Sequence, residues 1–571
     1  MNHRGGLDLK KRKIGCAVFL VSVLLAVSGS ADNGKADRKP VPERQRIGFE
    51  TIRPEESLAY MEFLAADELE GRDTASVGQA VARNYIRSLY KVWGVEPAGD
   101  KKGNGRTYEQ KIDMVEKVFG PETTIEIQTE SGRAVYAFGE DFSGSLGVDV
   151  PGTITARAVF AGYGLSAPDL GYDDFAGLDV RGKIVVVSTG KPGGEREDSP
   201  FNFPENLARF AGRRTPAENC ARLLADKGAA ALLLVDEAFG RVSNPGGYIQ
   251  GGRIRSDSKR VTALKLSTVD RMVPFFWVSA SVADSLFASS PEGFAAARER
   301  IDRSLEPNSF AVPGADVEIT LDIRRKYTVC ANLLGKIEGS DPELKKEYVI
   351  IGAHLDHVGM NEDGYVFNGA DDNASGSAGV LQAAKAFALN PEKPRRTILF
   401  AHWTGEEKGL LGSAHFVHFS TVPLDNIVAC INLDMICTDT PMANIERGIE
   451  EYAITPEELS AFEEDPDTLL AAITSLQSPD MVDHYTRISR DYVGLQPVPL
   501  CSAPMPGNSD HWHFARRNIP SVFFFTTGNG HAHQPTDTVE KADAGKMSRV
   551  VRLAYLTAFQ IADTEARPGW E

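Results

Sequence analysis

The chain has 571 residues, 42% of them hydrophobic, and a formal net charge of −17; that length exceeds what one core usually organises, and the composition is that of a soluble globular protein. Residues 1–31 hold five basic side chains and one acidic one, so the remainder carries −21, which excludes a nucleic-acid partner, whose phosphates demand a basic surface. Beyond Cys16 the cysteines are Cys220, Cys330, Cys430, Cys437 and Cys501 with no Cys-x-x-Cys pair, so neither a disulfide scaffold nor a cysteine zinc site is expected, while an exported protein could hold one incidental disulfide.

Arg4 and the cluster Lys10, Lys11, Arg12 and Lys13 precede an apolar run from Ile14 to Val27 that ends in Ser28, Gly29, Ser30 and Ala31. This layout predicts a signal peptide over 1–31 and export to the periplasm or beyond the cell. The run is shorter than the ~20 residues of a spanning helix; an uncleaved anchor is the alternative, and after cleavage no stable membrane partner is expected. Residues 32–48 are polar, with Pro40 and Pro42, and read as a linker. Leu58, Met61 and Leu64, then Ala80, Ala82, Tyr85, Ile86, Leu89, Tyr90 and Trp93, recur at spacings of three and four and predict two amphipathic helices.

From about Thr123 to Val312 the runs become short and β-rich: strands at Ala158–Tyr163 and Lys183–Ser188, then a helix at Ala217–Lys227 feeding a strand at Ala229–Val235. From Val349 strands and helices alternate, predicting an α/β domain with a mostly parallel mixed sheet and helices on both faces. Its strands are expected at Val349–Ala353, Thr397–Trp403, Ile427–Met435 and Ser521–Phe525, and its helices at Ser375–Ala388, Leu410–Phe419 and Ala544–Ala562.

No histidine occurs from Arg4 to Ala353, which biases metal or acid/base chemistry toward the C-terminal half. In open α/β sheets ligands bind beyond the carboxyl ends of strands. There the sequence puts His354-Leu355-Asp356, Asp371-Asp372-Asn373, Glu406-Glu407, Asp434 and His533. Singly each has a plainer reading: a surface His-Asp pair, a helix cap, a solvated turn. Asp434, within the apolar run Ile431–Ile436, resists one, because a lone buried carboxylate is costly. Two histidines and three carboxylates suit Zn²⁺, and a shared aspartate would let two ions sit about 3.5–4 Å apart. Glu406, beside Glu407, is placed to move protons.

The strings Gly352-Ala353-His354-Leu355-Asp356, Gly369-Ala370-Asp371-Asp372-Asn373-Ala374-Ser375-Gly376, Gly405-Glu406-Glu407-Lys408-Gly409-Leu410, Asn432-Leu433-Asp434-Met435 and His533-Gln534-Pro535-Thr536-Asp537-Thr538 resemble the co-catalytic dizinc exopeptidase family that includes bacterial leucyl aminopeptidase and glutamate carboxypeptidase II. The resemblance implies the zinc exopeptidase fold over 49–146 and 314–571 and two Zn²⁺ per chain. It implies His354 and Asp434 on one ion, Glu407 and His533 on the other, and Asp372 on both. Glu406 would be the general base and Asp356 would orient His354. A cis peptide between Asp372 and Asn373 is implied too. Asn508, in Asn508-Ser509-Asp510-His511, stands where relatives often carry tyrosine or arginine, and His511, His513 and His531 are not assigned as ligands. The segment 147–313, with Val159-Phe160-Ala161-Gly162-Tyr163-Gly164 and Asp179-Val180-Arg181-Gly182-Lys183, is similar to the protease-associated domain of such enzymes and would shape specificity as a lid.

The implied activity is removal of N-terminal residues from peptides. A glutamate carboxypeptidase-like enzyme is the alternative and would need arginines, with Arg253, Arg255, Arg516 and Arg517 as candidates. A non-catalytic receptor-like homologue would have lost ligands, and a single-zinc glutaminyl cyclase would not keep the full set.

Overall fold

The computed structural model describes residues 38–570 except 130–131, 145–151, 195, 204–215, 237–238, 240–259, 264–271, 362, 450–451 and 504. The expected signal peptide, and with it Arg253 and Arg255, lies outside the described residues. Among those described, no helix is long and apolar enough to cross a membrane, and all five cysteines are buried. The chain divides into two units: Met1–Met114 with Val329–Glu571, and Val115–Thr328.

In the first unit the elements are α1 (Glu43–Thr51), α2 (Pro54–Leu64), α3 (Val77–Trp93), β1 (Ile323–Ile337, entering from the second unit), β2 (Tyr348–His354), α4 (Gly376–Leu389), β3 (Thr397–Trp403), α5 (Leu411–His418), β4 (Ile427–Leu433), β5 (Leu469–Ser475), α6 (Pro479–Ile488), β6 (Gln496–Ser502), α7 (His511–Ala515), β7 (Ser521–Phe525) and α8 (Ala544–Asp563). These strands form part of a ten-stranded sheet and lie in it in the order β1-β3-β2-β4-β7-β5-β6, with Glu109–Phe119 pairing on the other side of β1. Strands β3, β2, β4 and β7 are mutually parallel, β1 and β5 join antiparallel, and β6 runs parallel to β5.

The period of two along each strand sorts the core into two layers. Val349 and Ile351, Ile398 and Phe400, and Ala429 and Ile431 pack with α2, α3, α4, α6 and α8 on one face. Ile350, Leu399, Ala401, Trp403 and Cys430 pack with Phe416 of α5 and Phe514 of α7 on the other. Helix α3 starts where the Ser76 side chain accepts from the Gln79 N–H and stops at left-handed Gly94. Because β2 has β3 on one side and β4 on the other, the chain changes direction at β2, and a ligand site belongs beyond its carboxyl end.

The expected linker over 32–48 is corrected at its end, where Glu43–Thr51 is helix. Its polarity concealed its partners: Asn390 accepts from the Gly48 N–H and donates to the Arg44 carbonyl, and Arg44 pairs with Asp563 at 2.6 Å.

The second unit is wider than the expected insertion 147–313, because strands on either side belong to its sheet. Gly132–Ala137 pairs with Thr124–Thr129, which pairs with Ser309–Leu321, all antiparallel. Ser309–Leu321 then pairs with Gly152–Ala161, from which Ile184–Ser188, Ala231–Val235 and Phe275–Val278 continue in parallel.

Candidate metal centre

His354 is the last residue of β2, Glu406 and Glu407 follow β3, Asp434 follows β4, and His533 comes in the loop after β7. Asp372 lies between β2 and α4, where the peptide to Asn373 is cis, as the resemblance implies. The fold thus brings all six side chains together. His354 Nε2 is 3.3 Å from Asp372 Oδ1 and 3.3 Å from Asp434 Oδ1. His533 Nε2 is 3.1 Å from Asp372 Oδ2 and 3.0 Å from Glu407 Oε2. Each oxygen of Asp372 therefore faces a different histidine. Two groupings able to hold a metal ion share this aspartate: His354, Asp372 and Asp434, and His357, Asp372, Glu407 and His533.

An N···O separation of about 3.3 Å is the edge of a tetrahedron whose corners lie about 2.0 Å from its centre, the bond length of zinc to imidazole and carboxylate. The donor set around Asp372 fits such ions in type and spacing. His354 and Asp434 are buried, whereas 31% of the His533 side chain is exposed, which marks the solvent side of the site.

Asp356 acts differently from the simple expectation. His354 Nδ1 faces the backbone carbonyl of Asp356 at 3.0 Å. The Asp356 carboxylate instead accepts from the Thr74 hydroxyl at 2.7 Å and from the Glu406 N–H at 3.2 Å, so it fixes the turn that carries Glu406. Asp434 Oδ2 accepts from Ser509 at 2.6 Å, and the N–H groups of Asp371 and Asp372 are both taken by Asp537.

Burial and the neighbours Glu407, Asp434 and Asp510 push the Glu406 carboxyl well above the usual range, against the opposing charge of His354. Burial would raise Asp372 as well, but hydrogen bonds from His354 and His533 outweigh it and hold it well below. Glu407, raised by burial and Asp372, is brought down to about 2 by His533 and by hydrogen bonds from His357 and His533. Burial would depress the imidazoles, yet Asp434 and Glu406 raise His354 well above its ordinary value, and Glu407 and Asp372 raise His533 to about 11. The acids that raise these two imidazoles are the groups whose charge a bound cation would offset.

Three neighbours escape a reading of the sequence. His357 contacts Glu407 and is signalled only by its place in His354-Leu355-Asp356-His357. Asp537 is signalled by the string that carries His533. Arg72 is fully buried and has no signal: its guanidinium donates to the carbonyls of Leu355 (3.0 Å), Asn368 (2.8 Å) and Gly369 (3.0 Å) and to that of Leu64, tying the loop after β2 to the loop that carries Asp372. The other histidines stay outside the cluster: His511 stacks on Phe523 and His531 bonds Thr536, and His513 joins neither grouping. Arg516 and Arg517 are exposed, with Arg516 over the Trp512 ring.

Residues 332–558 match the model of peptidase family M28. The chain is 27% identical over 259 residues to a probable leucine aminopeptidase of Arthroderma benhamiae, which covers 44% of this chain and 62% of that protein. It is 28% identical over 222 residues to a probable glutamate carboxypeptidase of the same organism, covering 38% of this chain and 27% of that one. The chain thus spans less than two thirds of these curated relatives. Among solved structures, an aminopeptidase from Aneurinibacillus sp. strain AM-1 shares the fold, with a TM-score of 0.52 and 18% identity over 92% of this chain and 97% of that one. The strand ends that bring His354, Asp372, Glu406, Glu407, Asp434 and His533 together all lie inside the segment that matches the model of peptidase family M28.

Proposed function

We propose that the chain is a dizinc exopeptidase that removes N-terminal residues from peptides. One observation carries the reading: the two oxygens of Asp372 face the imidazoles of His354 and His533 at 3.3 and 3.1 Å, so a single carboxylate joins the donor set completed by Asp434 to the one completed by Glu407. Zinc, when bound, supplies Lewis-acid polarisation of the scissile carbonyl and a lowered pKa of water.

The remaining steps belong to side chains. Glu406 takes the proton of the attacking water and passes it to the departing amine, which needs a carboxyl whose pKa lies above the ordinary range. Asp356 and Thr74 hold the backbone at Glu406, so the carboxyl is aimed before substrate arrives. Peptide enters on the exposed side of His533.

A free α-amino group suits an acidic site. A carboxypeptidase would need a guanidinium to meet the terminal carboxylate. Among the described residues the arginine buried beside the site is Arg72, and its donors are directed to backbone carbonyls. The similarity to a probable leucine aminopeptidase supports the same choice. The similarity to a probable glutamate carboxypeptidase keeps the second reading in the test. The purified protein, assayed on amino-acid anilides beside N-blocked dipeptides, should hydrolyse the anilides only. Cleavage of the blocked dipeptides with the anilides untouched would replace aminopeptidase by carboxypeptidase.

A further inference from the structure

The two oxygens of Glu407 have different neighbours. Oε2 lies 3.0 Å from His533 Nε2, while Oε1 lies 2.8 Å from Nδ1 of His357, whose side chain is 0% exposed. An imidazole there can either bind an ion together with Asp372, Glu407 and His533 or hold Glu407 in place. Distances decide between the two. Donors sharing one tetrahedral zinc sit at nearly equal separations of about 3.3 Å: His354 is 3.3 Å from both of its carboxylates and His533 is 3.1 and 3.0 Å from Asp372 and Glu407. His357 Nδ1 is unequally placed, 2.8 Å from Glu407 and 3.9 Å from Asp372, and 2.8 Å is the length of a charge-assisted N–H···O bond. A carboxylate oxygen only accepts, so Nδ1 carries the hydrogen.

The ring has a built seat. The His357 N–H donates to the Arg72 carbonyl and the Gly359 N–H to that of Gly71, which clips the chain on both sides of Val358. The ring lies against Gly369, where a Cβ would come within 2.4 Å of His357 Cδ2 and φ is +58°. Its other flank meets the His533 ring edge-on, centroids 5.5 Å apart.

We propose that His357 is a positioning residue of the second metal site. By holding Oε1 of Glu407 it turns Oε2 toward His533 and toward the ion that both would share. The inference rests on the dizinc reading and extends it to a residue outside the ligand set. Partners that orient a ligand in this way typically change metal affinity about 10–100-fold.

The test uses the full-length protein with His357→Leu, His357→Asn and His357→Gln, zinc counted by metal analysis and affinities read by chelator competition. Asparagine can place an amide N–H where Nδ1 stands, whereas glutamine reaches to the position of Nε2. The parent should bind two zincs. The Leu and Gln variants should keep one at parental affinity and bind the other about 10–100-fold more weakly, with Asn restoring it to within about threefold. The melting temperature of the metal-free Asn and Gln variants should be alike, which separates positioning from packing; should the Leu variant not fold, the Asn and Gln pair decides alone. Parental affinity for both ions in the Gln variant, equal weakening of both ions, or failure of Asn to rescue would each overturn the inference. A parent that binds a single zinc would overturn the dizinc reading itself.

Discussion

Both units contain a run of four parallel strands, yet among the described residues only the first brings histidines and acids together at the strand ends. The difference lies in how buried carboxylates find their partners. In the second unit Asp174 is fully buried and its carboxyl is pushed by burial to about 6, but its oxygens accept from the N–H groups of Tyr163 and Leu165, at 3.0 Å each, and from the Tyr172 hydroxyl at 2.8 Å. Neutral donors of the unit itself satisfy it, and it is structural. In the first unit Asp372 and Glu407 face the imidazoles of His354 and His533, and Asp510 accepts from Ser413 while Oδ2 lacks a hydrogen-bond partner. A buried acid whose oxygens are satisfied by neutral donors needs no ion; acids grouped around imidazoles at ligand spacing are the ones a cation would stabilise.

Substitutions at the paired glutamates should have the largest effect. Glu406→Gln removes the proton carrier and leaves every proposed ligand, so turnover should fall by about 10²–10⁴-fold with both zincs retained. Glu407→Gln should lose one zinc. Metal analysis beside kinetics separates the roles, and the reverse pattern would exchange base and ligand.

A smaller effect, confined to the other unit, is expected from Asp174→Ala. Each N–H left without a partner costs about 1–3 kcal/mol, so denaturant melts should show a less stable second unit while zinc content is unchanged. Loss of zinc on this substitution would mean that the two kinds of buried acid are not independent.

Much of this contrast was legible in the sequence, because it follows the period of the strands. The bounds of β3 and β7 are those expected, and His354, Asp434 and the two glutamates fall at strand ends because apolar runs stop there. What was hidden depends on tertiary partners. β6 contains Pro497 and Pro499, which argue against a strand, but it lies at the end of the strand order, where missing N–H donors cost little. Arg72 is a residue type expected at the surface, and three of the four carbonyls it meets come from a distant segment. His357 was passed over because spacing does not reveal that its ring points at Glu407. Asp356 was expected to orient His354; the contact runs through its carbonyl, which any residue could supply, while its carboxylate serves Glu406.

The claim that the acids around Asp372 are arranged for two cations is tested most directly by titrating metal-free protein with zinc while counting ions and released protons. His354 and His533 have pKa values raised above the unfolded value of 6.5, to about 11 for His533. Their contribution to the metal-free fold is therefore full below about pH 6.5 and is lost as pH rises through each raised value, about 11 for His533. At neutral pH each zinc must displace an imidazole proton, so apparent affinity should rise with pH, by up to about tenfold per unit for each proton displaced. Calorimetry in buffers of different ionisation heat should give two zincs per chain with protons released by both, and affinity that strengthens from pH 6 to 8. One zinc per chain, or two bound without proton release and with affinity flat in pH, would contradict the account.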